Sequence, residues 1–340
     1  MSDVSGRGGA DGPRGRDGEA AAARVRLWEA ADAARWVAVP GPESDKYSHG
    51  VLGVVTGSAL FPGAAVLGVE AAHRTGVGMV RYLGDPRPTD LVLRRRPETV
   101  MVPGRVEAWL IGSGADRGAV GVLARWREAL ASGLPVVVDA GALDLVEVGG
   151  PGAGSLRPWV LTPHYRELAR LLNRLGPAGP ADRGEASSRV AAGGAPADGA
   201  APGGFAAGEA TPEAIAREPE RWARRAARLV RAVVLLKGRA THVATPDGDV
   251  SRVVTECGWL ATAGTGDVLA GILGALLATH PAATRPRELA ALAATAAFLH
   301  GRAGLRASSG GPIAALDVAE SLPGAIAELL SSGALGGRRH

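Results

Sequence analysis

Asp267 is the acidic residue in the stretch GWLATAGTGDVLAGILGALLA, where it stands between a glycine-rich turn and a long apolar run. The run predicts a buried helix, whose first backbone N–H groups form the positive end of the helix dipole. Such an end suits a developing phosphoryl charge, and Asp267 could accept the proton of a substrate hydroxyl there. Alternatively, Thr265 or Asp267 caps the helix, a role that typically contributes about 1 kcal/mol. This stretch alone favours the cap.

Lysine is scarce in this chain, which draws attention to the two positions where it occurs. Only Lys46 and Lys237 among the 38 basic residues are lysines, and all the others are arginines. A lysine carries a compact point charge, whereas the guanidinium of arginine is a planar fork. Lys237 ends a predicted strand and precedes Gly238, which allows close approach of the backbone. We therefore interpret Lys237 as a phosphate-binding residue.

Small and acidic residues follow other predicted strands. Ala64 opens a helix whose N–H groups can face an anion, although a tight strand-to-helix turn explains the same residues. Gly112 and Gly114 in IGSG suit the approach of a phosphate or ribose but do not complete a dinucleotide-binding fingerprint. Asp139 ends another strand and could hold a loop, orient water or a metal, or cap a turn. We do not assign it as a catalytic residue.

The segment LTPHYRELARLL places His164 and Glu167 three residues apart, on one face of a predicted helix. This pair either starts the helix or contacts a ligand, and the residues leave both interpretations open. Ligands of open parallel sheets bind at the carboxyl ends of the strands. Because Lys237, the glycine turns and this pair all follow strands, the catalytic interpretation of Asp267 becomes the stronger one.

Short apolar strands alternate with longer helical patterns along the chain. Runs without polar alternation, separated by helices, indicate a parallel sheet that is covered on both faces. The fold class is therefore α/β, with a mostly parallel central sheet and a small antiparallel edge at a predicted hairpin. The predicted strands are 51–56, 79–83, 108–112, 135–139, 159–162 and 232–237, with the hairpin at 241–245 and 250–255. The predicted helices are 63–74, 119–131, 165–175, 218–230, 267–278, 287–303 and 315–330.

A chain of 340 residues has room for one large or two medium domains, and the alternation of strands and helices favours one. We interpret residues 1–25 as a disordered leader and residues 26–335 as a single domain. The Ala/Gly/Pro-rich segment at about 176–211 is predicted to be a flexible insertion.

No uninterrupted apolar run is long enough to span a membrane, and the only cysteine, Cys257, excludes an intrachain disulfide. A cytoplasmic protein is expected.

The charge balance raises the question of nucleic-acid binding. The net charge is +4, but the arginines are scattered, and aromatic residues make up only 4% of the chain. Few aromatic side chains are then available to stack on bases. We therefore exclude a nucleic-acid partner and expect the basic surface to attract small anionic molecules.

Seven sequence pieces in order resemble the ADP-dependent NAD(P)H-hydrate dehydratases, a family with a ribokinase-like fold. The match spans roughly 230 residues, and ATAGTGDVLAG is its most distinctive part. The pieces are KYSHGVLGVVTGS from Lys46, FPGAAVL from Phe61, RTGVG from Arg74, VDAGAL from Val138, LTPHxxEL from Leu161, LKGxxT from Leu236 and ATAGTGDVLAGI from Ala261.

The resemblance implies a role for each matching residue. Ala64, Gly114 and His164 would contact the hydrated nicotinamide nucleotide, and Asp267 would meet the same substrate as the base. The adenine nucleotide would be held by Lys237, Gly238, Arg239, Ala240 and Thr241, with Gly266 at its phosphate. Supporting positions would be Gly112, Asp139, Glu167, Gly264 and Thr265.

The implied reaction repairs NADH hydrate and NADPH hydrate. Asp267 would deprotonate the C6 hydroxyl, ADP would phosphorylate it, and loss of phosphate would restore the reduced ring and leave AMP. Mg²⁺ is expected to assist, although the sequence assigns no metal ligand. A homo-oligomer is expected, and so is a separate epimerase that acts on the same substrate, because only about 45 residues precede the first predicted strand.

One segment departs from the family pattern. Glu256-Cys257-Gly258-Trp259 stands where the family commonly has Asn-Pro-Gly, which is expected to alter the rim of the nucleotide site. Two alternative functions remain open at this point. One is a ribokinase-like kinase of a small hydroxylated vitamin precursor, and the other is a non-catalytic nucleotide sensor on the same fold.

Overall fold

The computed structural model describes the chain in four ranges. These are residues 25–116, 120–148, 155–176 and 210–336. The predicted leader lies outside the described residues, apart from residue 25. The predicted insertion also lies outside them, apart from residues 176, 210 and 211. The division into leader, single domain and insertion therefore stays a prediction.

A nine-stranded sheet forms the centre of the described part of the chain. Its spatial order is β1-β9-β8-β7-β6-β5-β4-β2-β3, where the strands are β1 (Val25–Leu27), β2 (Val51–Val55), β3 (Met79–Tyr82), β4 (Ala108–Ile111), β5 (Val136–Val138), β6 (Trp159–Leu161), β7 (Val233–Leu236), β8 (Ala240–Ala244) and β9 (Val250–Val254). Only β8 runs antiparallel to its neighbours. The predicted mostly parallel α/β sheet is thereby confirmed.

All seven predicted helices are present, with shifts of a few residues at some ends. The helices are α1 (Ala30–Ala34), α2 (Pro62–Thr75), α3 (Pro86–Arg95), α4 (Val120–Ser132), α5 (Tyr165–Leu175), α6 (Pro212–Arg217), α7 (Pro219–Val230), α8 (Thr265–Ala278), α9 (Pro286–Ser308) and α10 (Ala315–Gly336). Within the described ranges, none of these helices has both the length and the apolar character needed to cross a bilayer.

Four elements were missed by the sequence interpretation: β1, α1, α3 and α6. The strand β1 pairs in parallel with β9, so the sheet continues by one strand beyond the predicted hairpin edge. It has only three residues, which are too few for an apolar pattern to be recognised in the sequence. The start of α3 reads PRP, which resembles a loop, yet Asp85 caps it by accepting a hydrogen bond from the N–H of Arg87. Short length and proline at the first helical position explain these omissions.

Successive strand residues alternate between two apolar cores, one on each face of the sheet. Leu52 and Val54 of β2 pack into the core formed with α2, α8, α9 and α10. Val51 and Val55 point into the opposite core, which includes residues of α5 and α7. Both faces of the sheet are therefore covered, as its unbroken apolar strands predict.

The helices α2 and α8 approach each other unusually closely. A Cβ added at Gly271 of α8 would overlap the carbonyl oxygen of Gly68 in α2. The side chains of α8 are buried almost throughout, which is the expected state of a helix that is apolar all round. This contact places the first turn of α8, with Asp267, beside α2 and the carboxyl end of the sheet.

We predict that Gly271→Ala lowers the free energy of unfolding by about 2–3 kcal/mol, because the new methyl group meets backbone that cannot rotate away. Gly121→Ala in α4 is the matched control, since a Cβ at Gly121 meets nothing within 4 Å. The control should raise stability by about 0.5–1 kcal/mol, the usual gain of alanine over glycine in a helix. Urea-induced unfolding followed by circular dichroism measures both. Equal stabilities of the two variants would contradict the close packing.

Candidate active site

The carboxyl ends of the parallel strands converge on one edge of the sheet. β2 lies between β3 and β4, so the chain runs from β2 to one side and then returns from β3 to the other side, which opens a crevice beyond the ends of β2 and β4. Ligands of open α/β sheets bind at such a switch point. The loops after β2 and β4 meet there, because the N–H of Gly57 donates a hydrogen bond of 2.7 Å to the carbonyl oxygen of Ser113.

Asp139, directly after β5, is a buried carboxylate that accepts hydrogen bonds from three side chains. Ser113 Oγ donates at 2.7 Å, Thr162 Oγ1 at 2.6 Å and Lys237 Nζ at 3.0 Å. Burial alone would raise the pKa of Asp139, but the charge of Lys237 and the three hydrogen bonds lower it overall. Asp139 is therefore a fixed anion. It holds the loops and Lys237.

Lys237 follows β7 and lies between acidic residues. Its Nζ is 3.0 Å from Asp139 Oδ1 and 3.9 Å from Glu167 Oε2. Burial would lower the pKa of Lys237, but attraction to Asp139 and Glu167 outweighs it, so the pKa is raised and the side chain is charged. A Cβ added at Gly266 would be 3.7 Å from Nζ, which shows that the ammonium faces the start of α8. Phosphate oxygens bound between them would meet a cation and the positive end of the α8 dipole.

Asp267 lies in the first turn of α8, and it does not cap this helix. The cap position is Gly264, at φ +89°, and no side chain makes a capping hydrogen bond. Thr265 Oγ1 instead donates to the carbonyl oxygens of Leu260 and Thr262, each at 2.9 Å. The capping alternative is therefore not realised by either residue, and the carboxylate of Asp267 is left for another role.

The surroundings of Asp267 raise its pKa to about 7. Burial is the main cause, the negative charge of Asp139 adds to it, and the positive charge of Lys237 opposes it. A general base works best when its pKa lies near the working pH, since it is then deprotonated often and still binds a proton well. Asp267 therefore has the acid–base character that the catalytic interpretation requires.

His164 and Glu167 form a reciprocal cap at the start of α5. The Glu167 carboxylate accepts from the His164 N–H at 2.9 Å, and His164 Nδ1 accepts from the Glu167 N–H at 3.3 Å. Burial lowers the pKa of His164, while the charge of Glu167 opposes this shift. The structural interpretation of the pair is thus realised, and Glu167 adds a second negative charge beside Lys237.

A cavity of about 660 Å³ opens next to Lys237. Four of the five residues predicted to hold the adenine nucleotide line it, together with Gly266, the residue predicted at its phosphate. Ala240 is the exception, and it pairs with Val254 in the β8–β9 hairpin. The predicted residues that line this cavity are Lys237, Gly238, Arg239, Thr241, Thr265, Gly266 and His164. His164, which was predicted to contact the hydrated nicotinamide nucleotide, therefore lines the same cavity as the residues predicted to hold the adenine nucleotide.

Ala64, Gly112 and Gly114 lie together at the loops after β2 and β4. A Cβ on Gly114, at φ +61°, would be 2.6 Å from the Cβ of Ala64. One on Gly112, at φ +110°, would overlap the carbonyl oxygen of Asp139. Both glycines are therefore required for the loop after β4 to pass between Ala64 and the Asp139 loop. Substrate contacts at Ala64 and Gly114 stay predictions.

Three residues that the sequence interpretation did not assign belong to this site. Ser113 and Thr162 fix Asp139, and their only sequence signal is that each directly follows or ends a strand. His300 of α9 lines the cavity, and burial lowers its pKa to about 4 despite a hydrogen bond to the backbone of Thr265. A single histidine within an alanine-rich helix gives no signal of its own. In the unusual segment before α8, Cys257 and Gly258 also line the cavity.

The fold and this site together define a ribokinase-like α/β protein. A ribokinase-like superfamily protein of Enterococcus faecalis matches over 93% of this chain and 99% of its own, with a TM-score of 0.68 and 18% identity. The ADP/ATP-dependent NAD(P)H-hydrate dehydratase of Bacillus subtilis, crystallised with ATP and Mg²⁺, matches over 90% and 99%, with a TM-score of 0.70 and 22% identity. At these identities the likeness shows the fold.

The NAD(P)H-hydrate dehydratase family model matches residues 52–193 and 209–323. The chain therefore belongs to this family, as its sequence motifs predict. The bifunctional NAD(P)H-hydrate repair enzyme Nnr of Mycobacterium tuberculosis is 40% identical over 259 residues, 74% of this chain and 46% of that protein. The ADP-dependent (S)-NAD(P)H-hydrate dehydratase of Neisseria meningitidis is 33% identical over 69% of this chain and 72% of its own length. This chain spans about half the length of the bifunctional relatives.

We predict that Asp267→Asn stabilises the protein at alkaline pH. Folding raises the pKa of Asp267 from 3.8 to about 7, so the folded state binds the proton more tightly than the unfolded chain. Stability therefore falls as the pH rises between these values, and the full penalty is present above about pH 7. At pH 8.5 the asparagine variant should be more stable by about 1–2 kcal/mol. This difference should vanish towards pH 4, and a pH-independent difference in urea unfolding would contradict the raised pKa.

Proposed function

We propose that this chain catalyses the ADP-dependent dehydration of the S-epimer of hydrated NADH and NADPH, which restores the reduced nucleotide and yields AMP and phosphate. The observation that carries the proposal is Asp267, whose pKa is about 7, at the start of α8 beside the charged Lys237. Membership of the NAD(P)H-hydrate dehydratase family and the name of the Neisseria relative support the same substrate and phosphoryl donor.

The described residues fit an adenine nucleotide. α8 begins after Gly264, which lies in the left-handed region, and the ammonium of Lys237 faces Gly266 in its first turn. Lys237 and the positive end of the α8 dipole would hold the phosphates. A Cβ at Gly238 would overlap the hydroxyl of Tyr165, which would then have to move. The nucleoside would occupy the remainder of the cavity.

Mg²⁺ fits this site only together with the nucleotide. Among the described residues, no group of three or more histidine, cysteine, aspartate or glutamate side chains could hold a metal ion. Mg²⁺ typically binds through one or two carboxylates together with substrate phosphates and water. Asp267 and Asp139 are the carboxylates close to the phosphate position. When bound, the ion would neutralise charge on the transferred phosphoryl group.

The proposed chemistry begins with a proton transfer to Asp267. As Asp267 accepts the proton of the C6 hydroxyl, this oxygen forms a bond to the terminal phosphorus of ADP, and the bond to the AMP oxygen breaks. Lys237 and the N–H groups at the start of α8 stabilise the charge of the moving phosphoryl group. Phosphate then leaves C6, driven by the electron pair of the ring nitrogen, and loss of the C5 proton restores the reduced ring.

The site supports this chemistry because two different carboxylates anchor the cation and exchange the proton, and one carboxylate could not do both. Asp139 accepts three side-chain hydrogen bonds and is ionised, so it anchors Lys237 and does not exchange protons. Asp267 makes no capping hydrogen bond and titrates near neutrality. Environments that separate the pKa values of neighbouring acids are typical of acid–base sites.

The proposal extends to the partners of the enzyme. We propose that the chain forms a homo-oligomer and that a separate epimerase supplies the S-epimer from its counterpart. Relatives named bifunctional repair enzymes match this chain over only 46% and 51% of their own lengths. Sedimentation velocity of the full chain tests the first point, and a turnover assay with the mixed epimers of NADH hydrate tests the second. Without added epimerase, conversion should stop when the S-epimer is consumed.

We predict that the full chain, given NADH hydrate, ADP and Mg²⁺, restores absorbance in the reduced-nicotinamide band and releases AMP and phosphate in equal amounts. Asp267→Asn should lower the turnover number by a factor of at least about 10³, because loss of the base removes proton transfer and leaves the alkoxide unformed. Binding of ADP, measured by calorimetry, should remain within a fewfold of the unsubstituted protein. Retained turnover in the variant would contradict the assignment of Asp267 as the base.

Glu128→Gln is the matched control, because Glu128 is an exposed carboxylate on α4 that pairs with Arg125, away from the site. Its turnover should equal that of the unsubstituted protein. Two other outcomes would replace the proposal. Phosphorylation of a vitamin-precursor alcohol without repair of the hydrate would identify a kinase, and tight nucleotide binding without any turnover would identify a sensor.

A further inference from the structure

A second cavity, of about 560 Å³, adjoins the first cavity, the one of about 660 Å³ next to Lys237. It lies between the start of α5, the helix α6 and the turn after β7. Three residues, His164, Lys237 and Gly238, line both cavities, so the two cavities share a wall. The chemistry proposed above places no group in the second cavity.

Backbone hydrogen bonding fixes the shared wall, because it joins the loop after β6 to the end of β7. The N–H of Lys237 donates to the carbonyl oxygen of Pro163 at 2.8 Å, and His164 and Lys237 form a parallel bridge beyond the two strands. Ligands in the two cavities would therefore meet at Lys237. Such a meeting point is what the transfer of a phosphoryl group from one ligand to the other requires.

The order of the strands gives the direction in which the hydrate would extend. Gly114 follows β4 and His164 follows β6, with β5 between these two strands. Neighbouring strands are about 4.8 Å apart, so a ligand in contact with both loops spans roughly 10 Å along the edge of the sheet. The hydrate is a dinucleotide, and a reacting ring at Asp267 leaves most of the molecule still to be bound. Because His164 lines the second cavity, the rest of the hydrate would enter this cavity there.

Arg166 supplies an unpaired positive charge to the second cavity. It is exposed in the first turn of α5, and within the described ranges its guanidinium has no hydrogen-bond or ion-pair partner. Lys237 differs, because Asp139 already pairs with it. The acidic residue that lines the second cavity, Glu213, is also exposed and is not paired with Arg166. A free guanidinium binds a phosphate group through two parallel hydrogen bonds.

Tyr165 adds an aromatic ring and a hydrogen-bond donor to the same cavity. Burial raises the pKa of Tyr165, so the phenol is protonated, and its hydroxyl has no hydrogen-bond partner in the described part of the chain. A Cβ added at Gly238 would approach this hydroxyl closely, which places the hydroxyl at the shared wall. A half-buried ring with a free polar tip suits contact with a ribose or a base. The second cavity therefore combines the groups that a nucleotide needs.

We propose that the second cavity binds the nucleotide tail of NAD(P)H hydrate and that Arg166 binds a phosphate group of this tail. The inference rests on the proposed function, because it takes the hydrate to be the substrate. The tail offers phosphate at two places, the diphosphate that joins the two nucleotides and the 2′-phosphate that distinguishes NADPH from NADH. Arg166 is then a residue that determines substrate affinity, whereas Asp267 and Lys237 act on the transferred group.

Steady-state kinetics of Arg166→Gln with both hydrates, at saturating ADP and Mg²⁺, tests this assignment. The KM for NADPH hydrate should rise about tenfold, because a charge-assisted contact to phosphate is lost, and kcat should stay within about twofold. An equal rise of the KM for NADH hydrate assigns the contact to the diphosphate. A rise for NADPH hydrate alone assigns it to the 2′-phosphate. Arg166→Lys, which keeps the charge, should restore part of the affinity.

Arg170→Gln is the matched control. Arg170 is also exposed on α5, one turn after Arg166, but it lines neither cavity. Its substitution removes the same charge and should change both KM values by less than about twofold, since no contact to the hydrate is lost. The Kd for ADP, measured by calorimetry, should be unchanged in both variants, because Arg166 does not line the first cavity.

Two results would overturn the inference. One is a KM for both hydrates that Arg166→Gln leaves unchanged, and the other is an equal rise in Arg170→Gln, which would reveal a general effect of surface charge. Either result leaves the proposed function intact, provided that the unsubstituted protein restores the reduced nucleotide. If the unsubstituted protein converts neither hydrate, the proposed function fails and the inference fails with it.

Discussion

The buried ion pair between Asp139 and Lys237 is the interaction on which the site depends. Four side chains at the ends of four adjacent strands meet there: Ser113 beyond β4, Asp139 after β5, Thr162 after β6 and Lys237 after β7. Burying two charges is costly, and good geometry with additional hydrogen bonds is needed to offset that cost. Loss of either charged group would leave the other buried without a partner. The pair therefore fixes the edge of the sheet at which chemistry is proposed.

This pair also sets the acidity of Asp267. Lys237 alone would keep the pKa of Asp267 low and make it a weak base at neutral pH. The negative charge of Asp139 acts in the opposite direction and adds to the effect of burial, which is the largest contribution. The result is a carboxylate that titrates at about pH 7 although an ammonium lies nearby. Asp139 thus holds Lys237 in place and limits its effect on the pKa of Asp267.

Much of this arrangement could be predicted from the sequence, because parallel strands carry their functional residues at their carboxyl ends. The scarcity of lysine indicated Lys237, and the apolar runs predicted the strands that bring it to Asp139. Sequence spacing could not decide between a cap and a base for Asp267, since that depends on the left-handed turn at Gly264. Nor could it reveal His300, whose unpartnered nitrogen results from how α9 packs against distant segments.

The unusual segment before α8 now has a definite place. Cys257 and Gly258 line the cavity beside Lys237, whereas Trp259 is 48% exposed and lies outside the residues that line it. The basic residues of the cavity, Lys237 and Arg239, lie outside this segment, so the departure from the family pattern concerns the shape of the cavity wall more than its charge. Under the proposed function, the segment belongs to the wall of the nucleotide site, while Lys237 and the start of α8 would still hold the phosphates.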